Sequence, residues 1–170
     1  IIDKIDYDFS QKEKYFNSVI GLYGALEVAQ REFDLECEIK EYLKKFPEAS
    51  IVNLGCGLND LFSRVNNGKC KGYNLDFEEV IKTREELLEK SNNEFNIACD
   101  LNDYSWFEKI EKYKGVIFVA SGVFYYFKKE EVKNLFVKMA EYFKFGALVF
   151  DTCNKIGLKM LLKLLKTIDS

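Results

Sequence analysis

Histidine is absent from the 170-residue sequence, and proline occurs once. Without an imidazole the chain offers neither histidine-based acid–base catalysis nor a histidine metal site. Cysteine is more frequent, but the five residues are odd in number and lack CxxC spacing: Cys37, Cys56, Cys70, Cys99 and Cys153. This pattern favours reduced, mostly buried thiols over a disulfide framework or a zinc site.

An excess of basic charge is also lacking. The net charge is −3 and the isoelectric point is about 5.3, so the chain has no basic stripe of the kind that nucleic-acid surfaces need. No apolar run approaches the ~20 residues that span a bilayer, and no signal-peptide pattern opens the chain. We therefore expect a cytoplasmic protein with a small-molecule substrate and neither a nucleic-acid nor a membrane partner. The oligomeric state stays open.

The chain is long and apolar enough for one core, with 48% hydrophobic residues. We predict an N-terminal helical or lid segment over 1–48 and a Rossmann-like core over 49–170. A helical period runs over 13–46, and Pro47 follows where a helix should stop. Because no Met opens the chain and an amphipathic stretch at 159–168 ends it, we expect a fragment truncated at both ends.

Short apolar runs alternate with helical patterns after Pro47. The runs cover 51–54, 72–75, 95–99, 116–120 and 147–150, and the helical patterns cover 77–90, 105–113 and 128–143. Such alternation implies right-handed crossovers. The predicted fold class is α/β, with a doubly wound, mostly parallel sheet and helices on both faces.

A glycine loop and an acid follow neighbouring runs. Gly55 and Gly57 permit positive φ and close approach of a ligand, while Asp76 can accept hydrogen bonds from both hydroxyls of a ribose. The alternatives are a tight turn and a helix-capping acid. The pair suits a nicotinamide dinucleotide and S-adenosylmethionine equally well. Asp60, however, stands where the dinucleotide pattern has its third glycine and would face a pyrophosphate unfavourably.

Three further places complete the predicted site. Asp100 and Leu101 follow the third run, where an adenine ring would lie, although the alternative is that Asp100 or Asp103 caps the next helix. Ser121 follows the fourth run. The aromatic residues after it include Tyr125 and Tyr126, which can contact the cofactor or the substrate, although we expect at least one to pack in the core. Arg31, on the helix before the first run, can clamp the carboxylate of the cofactor. The alternative is an arginine that faces solvent.

These residues together resemble the class I S-adenosylmethionine-dependent methyltransferases, in the branch of leucine carboxyl methyltransferases and tetracenomycin-type polyketide O-methyltransferases. The family's first motif is similar to the segment Val52-Asn-Leu-Gly-Cys-Gly-Leu58 of this chain. The family's fourth-strand motif is similar to the segment Ala120-Ser-Gly-Val-Phe-Tyr-Tyr-Phe127. The resemblance extends to 5–9, 73–81, 100–106 and 149–152. It implies S-adenosylmethionine as cofactor, Arg31 as the carboxylate clamp, and cofactor contacts at Gly55, Cys56, Gly57, Asp76, Asp100, Leu101 and Ser121.

The chain departs from the family at several points. Asn59, Asp60 and Leu61 replace an acid, a small polar residue and an arginine. Ser121 replaces an acid of the leucine carboxyl branch, which favours the polyketide side. The segments that line the substrate pocket in the family are not found after the fifth run.

The preferred interpretation is an S-adenosylmethionine-dependent O-methyltransferase that acts on a small molecule. A carboxylate acceptor needs no base, whereas a polyketide-type phenol would gain from one, so no catalytic residue is assigned. The alternatives are a non-catalytic relative that binds the cofactor or acts as an interaction module, and an NAD-dependent oxidoreductase.

Overall fold

The computed structural model describes residues 19–152. The helices are α1 (Val19–Lys45), α2 (Leu61–Val65), α3 (Glu78–Leu87) and α4 (Lys129–Tyr142), and two 3₁₀ helices cover Tyr104–Lys109 and Phe124–Tyr126. The strands are β1 (Ser50–Leu54), β2 (Lys71–Asp76), β3 (Glu94–Ala98), β4 (Val116–Ala120) and β5 (Gly146–Phe150). Residues 1–18 of the predicted N-terminal segment, the stretch at 159–168 and Cys153 lie outside the described residues, and the division at residue 48 stays a prediction.

The strands form one parallel sheet in the order β3-β2-β1-β4-β5, so the predicted α/β fold class is confirmed. Every residue of β1 and β4 is buried. This explains why both strands read as continuous apolar runs, since strands covered on both faces show no alternation. Within residues 19–152, no helix combines the length and the apolar character needed to cross a bilayer.

The sheet separates two apolar layers. On one face, Leu35, Ile39 and Leu43 of α1 pack with side chains of α2, β1 and β4. On the other face, α4 and the first 3₁₀ helix pack around the fully buried Trp106. Consecutive β1 residues point to opposite layers, as the two-residue period of a strand requires: Ile51 belongs to the first and Val52 to the second.

One predicted helix differs in type and length. Instead of an α-helix over 105–113, the chain forms a 3₁₀ helix that begins after Asp103, whose carboxylate accepts a hydrogen bond from Ser105 N–H at 3.1 Å. It ends at Lys109. Three residues per turn place Phe107 and Ile110 on the same side, and both are buried. The 3₁₀ helix over Phe124–Tyr126 was not predicted.

The register aligns the carboxyl ends of the three central strands. Leu54, which ends β1, pairs with Leu75 of β2 and with Ala120 of β4. The glycine loop, Asp76 and Ser121 therefore leave the sheet at one edge. This edge is where parallel α/β sheets place their ligand sites.

Candidate functional site at the carboxyl edge of the sheet

The glycine loop and the acid after β2 are in direct contact. Gly57 N–H donates to Asp76 Oδ2 at 2.8 Å, and Phe77 N–H donates to Asp76 Oδ1 at 2.8 Å. Each carboxylate oxygen therefore holds one main-chain donor and retains a further lone pair for another. The carboxylate of Asp76 is fixed in direction but not saturated.

Two glycines of the loop adopt left-handed backbone conformations, for different reasons. Gly55 has φ of +60°, and a Cβ there would lie 2.9 Å from Val123 Cγ2, which is too close for any side chain. Gly57 has φ of +50°, and its Cβ would meet nothing within 4 Å. Gly55 is therefore required by packing as well as conformation, whereas Gly57 leaves open space beside the carboxylate of Asp76.

A cleft of about 210 Å³ lies at this edge of the sheet. Its lining brings together predicted residues from four places in the sequence: Gly55, Asp76, Leu101 and Tyr126. Val123 and Phe127 contribute apolar walls. An apolar cleft with one carboxylate at its edge suits a flat, partly polar ligand such as a nucleoside.

The predicted adenine-side residues lie beside this cleft in different environments. Leu101 is buried and its carbonyl accepts from Trp106 Nε1 at 3.4 Å. Asp100 is exposed and accepts from Asn102 N–H at 2.9 Å, so it forms a local turn in the structure. Of the two aspartates whose alternative role was a helix cap, Asp103 is the one that caps the first 3₁₀ helix.

Cys56 is buried, and its main-chain groups are used within the protein: N–H donates to Leu75 O and the carbonyl accepts from Asn59 N–H, each at 3.0 Å. Burial raises the pKa of the Cys56 thiol to about 12 and that of Cys99 to about 11. Both thiols are therefore protonated at neutral pH, and neither is an activated nucleophile.

Ser121 is tied to helix α1 by a residue that the sequence analysis missed. Ser121 Oγ donates to Glu32 Oε1 at 2.7 Å, while Glu32 Oε2 accepts from Asn59 Nδ2 at 2.6 Å and from Arg64 Nη2 at 3.0 Å. Glu32 thus places a carboxylate beside Ser121, the position where the chain departs from the acid of the leucine carboxyl branch.

Arg31 and Tyr125 meet at a second carboxylate, Asp151, which follows β5. Asp151 accepts from Arg31 Nη1 at 3.1 Å, from Tyr125 Oη at 3.1 Å and from Gly122 N–H at 2.7 Å. The predicted clamp is therefore paired with a protein carboxylate. The expectation that Tyr125 or Tyr126 packs in the core is wrong, since their exposed fractions are 55% and 87%.

A buried arginine lies behind the glycine loop. Arg84 Nη1 donates to the carbonyls of Gly57 at 3.2 Å and Asn59 at 2.6 Å, and its Nη2 donates to Glu94 Oε1 at 3.3 Å. Sequence reasoning missed Arg84 and Glu32 because each acts from a helix through a long-range contact. Asp151 carried a usable signal, since it follows a strand as Asp76 ends one.

A comparison with models of protein families decides the relationship. The model described as leucine carboxyl methyltransferase matches residues 36–140, more than half of the chain. The chain belongs to this family. The match runs from α1 into α4 and includes the glycine loop, Asp76 and Ser121, so the leucine carboxyl methyltransferase resemblance predicted from the motifs is confirmed. Arg31 precedes the matched range.

Individual relatives are more distant. The chain is 21% identical to the tetracenomycin polyketide synthesis O-methyltransferase TcmP of Streptomyces glaucescens over 152 residues, which cover 89% of this chain and 54% of TcmP. The chain thus spans about half the length of that curated relative.

Two solved structures share the fold. The magnesium protoporphyrin IX methyltransferase ChlM of Synechocystis PCC 6803, crystallised with S-adenosylhomocysteine (SAH), superposes on this chain with a TM-score of 0.56 at 18% identity. The match covers 94% of this chain and 79% of ChlM. The plantazolicin methyltransferase BpumL, also in complex with SAH, gives a TM-score of 0.51 at 21% identity. This match covers 71% of this chain and 43% of BpumL. At these identities, the comparison establishes the fold alone.

Proposed function

We propose that this chain is the S-adenosylmethionine-binding part of an O-methyltransferase that acts on a small molecule, either a polyketide-type phenol or a carboxylate. The observation that carries the proposal is the 2.8 Å hydrogen bond from Gly57 N–H to Asp76 Oδ2. It joins the glycine turn to the acid, and Gly55 of that turn and Asp76 both line one cleft. Membership in the leucine carboxyl methyltransferase family supports the same activity.

The residues present fit the adenosyl part of such a donor. In this proposal the remaining lone pairs of Asp76 accept hydrogen bonds from the two ribose hydroxyls. The open space beside Gly57 lets the ligand approach the main chain closely. Leu101 provides an apolar wall for the adenine, whereas Asp100 and Ser121 do not line the cleft and stay proposed contacts.

The charges near the loop favour a cationic donor over a dinucleotide. Asp76 lies at the loop, and Asp60 follows it and forms an ion pair with Arg64. Because Arg64 compensates the charge of Asp60, Asp76 is the carboxylate that would repel a pyrophosphate and tolerate a sulfonium cation. This argues against the NAD-dependent alternative.

When bound, S-adenosylmethionine supplies an electrophilic methyl group, which passes to the acceptor oxygen as the carbon–sulfur bond breaks and the sulfur keeps the electron pair. The protein's contribution to such a displacement is proximity and orientation. Cys56 and Cys99 do not compete for the methyl group because burial keeps both protonated. A carboxylate acceptor arrives ionised, and an acidic phenol needs little help.

Titration calorimetry with S-adenosylmethionine, S-adenosylhomocysteine and NAD tests the proposal. We expect binding of the first two ligands and none of NAD, followed by transfer of labelled methyl groups to members of a phenol and carboxylate panel. Binding of NAD alone would support the oxidoreductase instead.

The pairing of Arg31 with Asp151 favours a second candidate, a relative that binds the cofactor without catalysis. In that case the predicted carboxylate clamp is already occupied by the protein. Binding of S-adenosylhomocysteine together with no methyl transfer to any acceptor of the panel would support this candidate.

A further inference from the structure

The shape of the glycine loop is controlled from two sides at Gly57. Its N–H donates to Asp76 Oδ2 on the cleft side, and its carbonyl accepts from Arg84 Nη1 of α3 at 3.2 Å. The same guanidinium nitrogen donates to the carbonyl of Asn59 at 2.6 Å. One planar group therefore bridges two loop carbonyls while a carboxylate holds the N–H of the same glycine.

Arg84 is itself held rigidly. Its side chain is 3% exposed and forms an ion pair with Glu94, whose side chain is 7% exposed. Glu94 Oε1 also accepts from Asn74 Nδ2 of β2 at 2.7 Å, and its Oε2 accepts from Ser91 N–H at 3.3 Å. A buried cation with a fixed counter-ion and fixed carbonyl acceptors has little freedom to move.

We infer that Arg84 is a positioning residue, which keeps the glycine loop in the conformation that receives the adenosyl ligand. The inference rests on the proposed function and names a residue for it that does not line the cleft. Gly57 lies in the left-handed region at φ +50°, and a Cβ at this position would meet nothing within 4 Å, so a steric requirement for glycine from neighbouring side chains does not select this conformation. The hydrogen bond that Gly57 N–H donates to Asp76 and the one that its carbonyl accepts from Arg84 hold this conformation instead.

A purely structural role for Arg84 would be limited to joining α3 to β3 through Glu94. The two roles use different atoms of the guanidinium: Nη2 reaches Glu94, whereas Nη1 reaches the loop.

Two variants separate the structural role of Arg84 from its role at the loop. Arg84→Lys keeps the charge but replaces the fork by a point charge that cannot span both carbonyls and Glu94. Glu94→Gln keeps an acceptor for Arg84 and loses the one for Ser91 N–H.

The experiment measures S-adenosylhomocysteine affinity by calorimetry, thermal unfolding, and amide hydrogen exchange at 55–60 without ligand. We expect both variants to lower the melting temperature. Arg84→Lys should weaken binding about tenfold, as expected for one or two lost hydrogen bonds, and should speed exchange in the loop. Glu94→Gln should bind S-adenosylhomocysteine within about twofold of wild-type affinity, because the hydrogen bonds from Arg84 to the loop carbonyls persist.

Equal affinity of Arg84→Lys and wild type, or a loss in both variants that follows only their melting temperatures, would overturn the inference. If the wild-type chain does not bind S-adenosylhomocysteine, the proposed function fails and the inference fails with it. Binding by wild type together with unchanged binding by Arg84→Lys removes the inference alone.

Discussion

At the scale of single residues, the carboxylate of Asp76 serves the protein and the proposed ligand together. It holds Gly57 N–H and Phe77 N–H in the structure, and in the proposed function it also accepts the ribose hydroxyls. Asp76→Ala should therefore weaken S-adenosylhomocysteine binding by about 1–3 kcal/mol, measured by calorimetry.

The matched control is Glu79→Ala, which removes an exposed acid from the first turn of α3 close to Asp76 in sequence. Its affinity should equal that of wild type, because only the general negative field is changed. If Asp76→Ala and Glu79→Ala bind alike, Asp76 has no direct contact with the ligand.

Cys56 gives a second prediction at this scale. Burial raises its pKa from 9.0 to about 12, so the folded chain keeps the thiol protonated at pH values where the unfolded chain ionises it. The stability contribution is complete below about pH 9 and is lost as pH rises toward 12. Between pH 8.5 and 10.5, roughly the onset of this window, unfolding free energy should fall more steeply in wild type than in Cys56→Ala.

Urea denaturation at several pH values measures these slopes, and other titrating groups cancel in the comparison because both proteins contain them. Parallel slopes would show that the Cys56 thiol has the same pKa in both states. Alkylation at neutral pH adds a direct check: the exposed Cys37 should react before the buried Cys56.

At the scale of elements, the strands were predictable and the connections between helices and the site were not. β1 and β4 are apolar throughout because both of their faces are covered, so their limits can be read within a residue. The parallel pairing of β1 with β2 then brings Gly57 and Asp76 together. The contacts of Glu32 and Arg84 depend instead on how helices pack, which no local pattern contains.

Helix α1 carries the third prediction. Ile39 is fully buried against the sheet, whereas Leu26 on the same helix is 66% exposed. Ile39→Ala should reduce the unfolding free energy by about 2–5 kcal/mol, because it leaves a cavity. Leu26→Ala should change it by less than about 0.5 kcal/mol. Urea denaturation measures both, and similar losses would mean that α1 does not dock through this face.

At the scale of the whole molecule, side chains of α1 and α3 and the segments that follow the five strands meet at one edge of the sheet. Asp76 and Arg84 fix the loop after β1, while Glu32 and Asp151 hold the residues after β4. A ligand bound at this edge therefore contacts segments distant in sequence. Its binding energy adds to the stability of the whole fold rather than to one element.

This convergence predicts a thermal shift. At a concentration a hundredfold above its Kd, S-adenosylhomocysteine should stabilise the folded chain by ~2.7 kcal/mol. For a chain of this size the melting temperature should rise by about 5–10 °C. Differential scanning calorimetry measures the shift, with Asp76→Ala at the same ligand concentration as the control that responds less. A rise with NAD and none with S-adenosylhomocysteine would contradict the methyltransferase proposal, because the edge would then bind a pyrophosphate despite its acids.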